Sequence, residues 1–97
     1  MGFVVTAKWT AKQGEGEKVL AAIHQLLEPS RAEPGNRFYQ PNRDPENPRV
    51  FFFYEIYDDE DGYKAHGESE HFQRIGLGEA IPLLENRERA FYETLDV

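Results

Sequence analysis

Arg49–Tyr57 reads RVFFFYEIY, nine residues that are apolar at almost every position. A strand with a core on one side and water on the other alternates apolar and polar side chains, because successive residues point to opposite faces. Here Phe51, Phe53, Glu55 and Tyr57 share one face, and Val50, Phe52, Tyr54 and Ile56 share the other. Both faces need cover. The segment predicts a strand between two layers, and the rest of the chain must supply them.

Upstream, FVVTAKW (Phe3–Trp9) is β-branched and aromatic, with Phe3, Val5, Ala7 and Trp9 on one face of a first strand. From Glu17 to about Arg31, Val19, Leu20, Ile23, Leu26 and Leu27 recur at helical spacing, and Pro29 is placed to bend or end that helix. Glu33-Pro34-Gly35 is turn chemistry, NRFYQ (Asn36–Gln40) a short strand, and NRDPENP a loop. Downstream, Asp58–Asp61 opens a helical stretch from Gly62 to Leu84, which Gly67, Gly76, Gly78 and Pro82 divide into two or three pieces. RAFYETLDV (Arg89–Val97) alternates as a last strand. The order β-α-β-β-α-β is that of a ferredoxin-like α+β domain, a four-stranded antiparallel sheet with both helices on one face. Residues 1–97 are about one domain's worth. No residues remain to cover the sheet's other face, so a second copy, sheet against sheet in a homodimer, is the expected source.

Composition narrows the partners. Eleven Lys and Arg against 18 Asp and Glu give a formal charge of -7, which argues against nucleic acid and anionic membrane surfaces. The absence of cysteine excludes disulfides, thiolate metal sites and thiol nucleophiles. No apolar run approaches the roughly 20 residues of a membrane span, and the N-terminus lacks a charged region followed by an apolar one. The expectation is a soluble cytoplasmic protein.

Three stretches carry a likeness: SRAEPGN (Ser30–Asn36), RDPENP (Arg43–Pro48) and FYEIYDDEDGYKAHGESEHF (Phe53–Phe72). In this order and spacing the chain resembles the antibiotic biosynthesis monooxygenase superfamily of small dimeric α+β barrels, nearly end to end. The resemblance implies a cavity between the helices and the inner face of the sheet. In enzymatic members of that superfamily, oxygen is added to an electron-rich aromatic such as a quinol or anthrone without flavin, haem or metal. The substrate supplies the electrons once deprotonated, so the protein needs a dry pocket, a proton acceptor and donors for the developing anion. A small aromatic molecule and dioxygen are the implied partners, with no cofactor.

The resemblance places His66 at the family's histidine position, where proton abstraction from a phenol is the functional reading and a hydrogen bond within the helix the structural one. Tyr63 matches a tyrosine that holds the substrate's phenolate in some enzymes, or is an ordinary helix aromatic. Glu55 is the one carboxylate on an aromatic face, either catalytic or a buried link to a backbone amide, Arg37 or Arg49. These three are the catalytic candidates. Tyr57 stands where many members carry tryptophan, and Phe53 where some use an asparagine, a departure from the anthrone pattern. Tyr57, Phe53, Trp9, Asn36, His71 and Phe72 are the expected substrate contacts, although Trp9 also reads as core and Asn36 as a turn residue.

His71 lies five residues beyond His66, roughly 140° around a continuous helix. The two then share no face, which makes them a poor metal pair and His71 a residue that fixes a turn. The acidic run Asp58–Asp61 reads as helix capping, and His24 lies off the apolar stripe of its helix. No metal site is expected. Haem-degrading relatives need an asparagine on strand one, and FVVTAKW has none. Two other functions remain open. YEIYDDED also resembles the branch containing the autoinducer-2 degrading isomerase, whose phosphorylated dione would want Arg37, Arg43 or Arg49 at the pocket mouth. A non-catalytic dimeric binding or stress-response module is the third.

Overall fold

The computed structural model describes residues 2–95. Its elements run β1 (Phe3–Ala11), α1 (Gly16–Arg31), β2 (Asn36–Arg43), β3 (Val50–Tyr57), α2 (Glu60–Glu68), a π-helical segment (Phe72–Ala80), a 3-10 turn (Ile81–Leu83) and β4 (Leu84–Glu93). Every strand pairing is antiparallel, in the order β2-β3-β1-β4. This is the ferredoxin-like α+β arrangement, with the helical layer on one face of the sheet.

The two-faced strand is β3. On its inner face Phe51 pairs with Trp9, Phe53 with Ala7, Glu55 with Val5 and Tyr57 with Phe3. All four β3 residues are buried, and Val19, Ala22, Ile23 and Leu26 of α1 close over the sheet together with Ile75 and Ala80 of the π-helical segment. At about 25 cal/mol per Å² of apolar surface removed from water, this layer is the main favourable contribution to folding. Phe52 and Tyr54 face the opposite side and are 42% and 38% exposed, beside Phe38 at 46% and Tyr92 at 58%.

Several boundaries differ from the sequence reading. β1 continues to Ala11, whereas α1 ends at Arg31 as expected and passes through Pro29, because a proline this close to a helix end removes only one late hydrogen bond. β2 runs past Gln40 to Arg43 with Pro41 inside it, tolerated because β2 is an edge strand. The last strand begins at Leu84, five residues before Arg89, and ends at Glu93. Its first half, LENRE, is charged and lacks β-branched residues, but it pairs with β1 from Ala11 onward. The predicted strand's last residues, Asp96 and Val97, lie outside the described residues. Among the described residues, no helix is long and apolar enough to cross a membrane.

Candidate functional site

The site begins with a turn. Asn36 N–H donates to Glu33 O at 3.0 Å, closing Glu33-Pro34-Gly35-Asn36 after α1, and Asp58 N–H donates to Gly35 O at 2.9 Å, tying the turn to the end of β3. A Cβ on Gly35 would lie 3.0 Å from Gly62 Cα, so two glycines let the turn press against the first turn of α2. Asp59 caps that helix by accepting from Gly62 N–H at 3.0 Å, and Glu60 and Asp61 follow near the positive end of its dipole. The result brings the Glu33 carboxylate beside the helix that carries His66.

α2 stops at Glu68, and Ser69 is extended at ψ 152°. Its hydroxyl donates to His66 O at 2.6 Å and accepts from Phe72 N–H at 3.2 Å, so one side chain ends α2 and starts the next segment. The helix is therefore not continuous between His66 and His71, which corrects the expectation that they point apart. Both converge on one atom: Glu33 Oε2 lies 2.7 Å from His66 Nδ1 and 2.6 Å from His71 Nε2. An ionised carboxylate only accepts, so each of these nitrogens carries a proton and donates. In a neutral His66 ring that donates from Nδ1 in this way, Nε2 keeps a free lone pair.

Glu33, His66 and His71 also form the cluster able to supply metal ligands, their ligand atoms lying within 4.8 Å of one another. Metal bonds of about 2.0 to 2.2 Å spread tetrahedral ligands to well over 3 Å apart. Contacts of 2.6 and 2.7 Å to a shared oxygen are hydrogen bonds, and the donor set as it stands is a hydrogen-bonded one.

Beneath α2 lies a cavity of about 170 Å³. Val5, Ala7, Trp9, Tyr39 and Phe53 form its apolar floor, Tyr63, His66, Gly67 and Phe72 its helical wall, and Glu55, Lys64, Arg87 and Arg89 its charged part. His66 is 4% exposed, and its ring lies 5.0 Å from Phe72, 5.7 Å from Tyr57 and 5.8 Å from Tyr39 between centroids. Tyr63 stacks on it at 6.5 Å and accepts from Arg89 Nη1 at 2.9 Å. A larger hollow of about 480 Å³ near Phe91 and Tyr92 is shallower, is flanked by Asp59, Glu60 and Glu93, and contains no histidine.

Glu55 Oε1 accepts from the Tyr57 hydroxyl at 2.6 Å. Burial pushes the Glu55 carboxyl above its ordinary range, although the Tyr57 bond and the His66 and Arg87 charges act the other way. Burial, with the Glu55 charge and this bond, also raises Tyr57, so Tyr57 is a persistent donor and not a phenolate. Trp9 Nε1 and Arg87 Nε are buried without a hydrogen-bond partner among the described residues.

The structure thus brings Trp9, Phe53, Glu55, Tyr63, His66 and Phe72 to one cavity. Tyr57 stands behind it through Glu55 and His66, and His71 behind it through Glu33. Asn36 is elsewhere: its amide donates to Phe38 O at 3.2 Å, and the hollow it lines contains Arg31, Arg37, Phe38 and Tyr39. Arg37, Arg43 and Arg49 are not at the cavity and face Asp58, Glu17 and Glu85 at 3.8, 2.7 and 3.1 Å. Glu33, Lys64, Arg87 and Arg89 were missed. For the two arginines the signal is the period-2 run Arg87, Arg89, Phe91. Arg89 opens the predicted last strand, while Arg87 lies just before it, in a stretch that the sequence reading assigns to no element.

A search of curated proteins finds no match. Among solved structures, PA3566 of Pseudomonas aeruginosa is similar over 97% of this chain and 94% of its own, with 29% identity and a TM-score of 0.89. SO0527 of Shewanella oneidensis is similar over 96% and 90%, with 25% identity and a TM-score of 0.88. A protein of Nitrosomonas europaea, provisionally named an antibiotic biosynthesis monooxygenase, shares the fold at 24% identity over 98% and 91%, with a TM-score of 0.90. The profile of the antibiotic biosynthesis monooxygenase family matches residues 2–76, from β1 through the wall that carries His66 and His71. The chain belongs to the antibiotic biosynthesis monooxygenase family.

Proposed function

We propose that this protein is a cofactor-independent monooxygenase of small quinol-like or polyphenolic molecules, with His66 as the base. The observation that carries the reading is the 2.7 Å hydrogen bond from His66 Nδ1 to Glu33 in the wall of an aromatic cavity. With Nδ1–H committed to the carboxylate, Nε2 is left to take a phenolic proton, and Glu33 steadies the imidazolium that forms. The phenolate then supplies electrons to dioxygen. A quinol and one O2 give a hydroxyquinone and one water, so no outside reductant is needed. Tyr63 and the Tyr57–Glu55 pair supply hydrogen bonds around the ring, and Trp9, Phe53 and Phe72 keep water from it.

A cavity of about 170 Å³ is smaller than the roughly 300 to 1,000 Å³ of pockets for drug-sized ligands. That supports a one- or two-ring substrate over a tricyclic anthrone. The exposed outer face, with Phe38, Phe52, Tyr54 and Tyr92, supports a homodimer of single 97-residue domains joined sheet to sheet. A second reading, isomerisation of a phosphorylated dione by the same base, is favoured by Lys64, Arg87 and Arg89 in the cavity wall.

The test is oxygen uptake by metal-free protein with a panel of quinols, beside His66→Ala. Uptake that depends on the quinol and falls about 10²-fold or more in the variant supports the reading. A folded wild type that consumes no oxygen with any quinol overturns it.

A further inference from the structure

We infer that the cavity recognises an oxyanion on its substrate, with Arg87 and Arg89 of β4 and Lys64 of α2 as the anion-binding side. This rests on the cavity being the substrate site. The chain has 18 acidic residues to neutralise 11 basic ones, and Arg37, Arg43, Arg49 and Arg74 each lie within 4.0 Å of a carboxylate oxygen. Among the described residues none of Lys64, Arg87 and Arg89 does so, although all three line the same cavity. Lys64 and Arg89 are exposed and hydrated, whereas Arg87 is half-buried with its Nε unpartnered. The desolvation that a ligand would offset therefore falls on Arg87, with the other two cations adding to the field around it.

Arg87 is the anchor. It lies on the inner face opposite Trp9, and its Nε is buried with no acceptor. Burial and the neighbouring Arg89 charge both lower its pKa, so an arriving negative charge is favourable on both counts. Arg89 is opposite Ala7, whose short side chain leaves room above it, and it already donates to Tyr63. Glu55, the one acidic side chain in the lining, forms no ion pair with Arg87: its Oε1 accepts from Tyr57, its charge reaches Arg87 only at longer range, and burial favours its neutral form. Guanidinium forks match planar oxyanions with paired charge-assisted bonds, and the surrounding aromatic walls fit an aromatic carboxylate. A phosphate monoester shares the oxyanion chemistry and is the alternative source.

Benzoate and benzamide are nearly isosteric and differ by one charge, so their affinities isolate the subsite from turnover. Trp9, the single tryptophan, lines the cavity and reports occupancy by fluorescence, checked by calorimetry. The expected result is benzoate binding about tenfold or more tighter than benzamide, with the preference weakening as salt rises and lost in Arg87→Gln. Arg89→Gln and Lys64→Gln reduce it, and they carry the test if Arg87→Gln does not fold. Tighter binding of phenyl phosphate, lost in the same variants, also supports an oxyanion site and identifies phosphate as its ligand. Equal affinities in folded wild type, or a preference that all folded variants keep, overturn the inference. Charge preference without oxygen uptake removes the oxidation reading and leaves the subsite. Oxygen uptake without charge preference does the reverse.

Discussion

Glu33 and His66 are 33 residues apart in sequence and joined by a 2.7 Å hydrogen bond between side chains that are 12% and 5% exposed. The bond exists because the turn after α1 is pressed against α2 through Gly35 and Gly62. If Glu33 positions the base, Glu33→Gln lowers kcat about 10- to 100-fold with KM nearly unchanged, since a neutral amide cannot stabilise the imidazolium. Glu33→Asp recovers part of the loss. Glu33→Ala leaves two poorly exposed imidazole donors without an acceptor and costs about 1 to 3 kcal/mol of stability. Steady-state oxygen uptake and denaturant unfolding measure the two effects. An unaltered kcat in folded Glu33→Gln removes Glu33 from the mechanism.

Much of this architecture was legible in the chain. The RVFFFYEIY pattern tells which β3 residues share a face, and the Phe51, Phe53, Glu55 and Tyr57 face is buried as expected, because strand periodicity leaves little freedom. The resemblance singled out His66. What was not legible depended on breaks. The sequence divides Gly62–Leu84 at its glycines and proline, but the expected angle between His66 and His71 holds only on a continuous helix. The break at Ser69 between them turns His71 back toward Glu33. Glu33 itself looked like turn punctuation, since nothing local to Glu33-Pro34-Gly35 shows what will pack against it. Arg87 was hidden because strand propensity is weak in LENRE, where pairing with β1 decides the conformation, and without it the alignment of Arg87 and Arg89 on one face of β4 was not visible.

Glu55 gives stability a pH dependence of definite sign. Burial raises its folded-state pKa above the ordinary 4.5, so the native protein holds this proton at pH values where the unfolded chain has lost it. Stability from the neutral carboxyl is complete below 4.5 and is lost as pH rises through the native value. Glu55→Gln is neutral throughout and its amide still faces the Tyr57 hydroxyl. We expect the variant to gain on wild type as pH rises above 4.5 and through the raised native value of Glu55. Urea midpoints across that range provide the comparison, and parallel curves would contradict the assignment.

The outer face of the sheet predicts an oligomeric state. Phe38 and Tyr54 meet edge to face at 5.8 Å on a surface that also exposes Phe52, a continuous aromatic patch of the kind that marks an interface. Sedimentation at micromolar concentration is expected to show a dimer. Phe52→Asp places a charge in the patch, away from the cavity, and is expected to weaken association about tenfold or more. A wild type that remains monomeric and folded would leave the second face of β3 unexplained.

Gly76 links the packing of the π-helical segment to the size of the cavity. A Cβ at this buried position would lie 2.7 Å from Phe72 Cδ1 and 2.8 Å from Cε1, closer than carbon atoms approach, so the Phe72 ring must move. Phe72 lines the cavity and packs against His66 with 5.0 Å between ring centroids. Gly76→Ala is therefore expected to cost about 1 to 3 kcal/mol through overpacking, despite alanine's better helix propensity. It should also raise KM for the substrate, because the displaced ring disturbs the wall beside the base. Gly78 provides the control: its nearest neighbour to a new Cβ is a backbone oxygen at 3.5 Å, an ordinary contact, and its exposed position lies off the cavity. Gly78→Ala should leave KM unchanged and stability equal or higher. If both alanine variants behave alike, the Phe72 ring is free to yield and the cavity wall is softer than its packing implies.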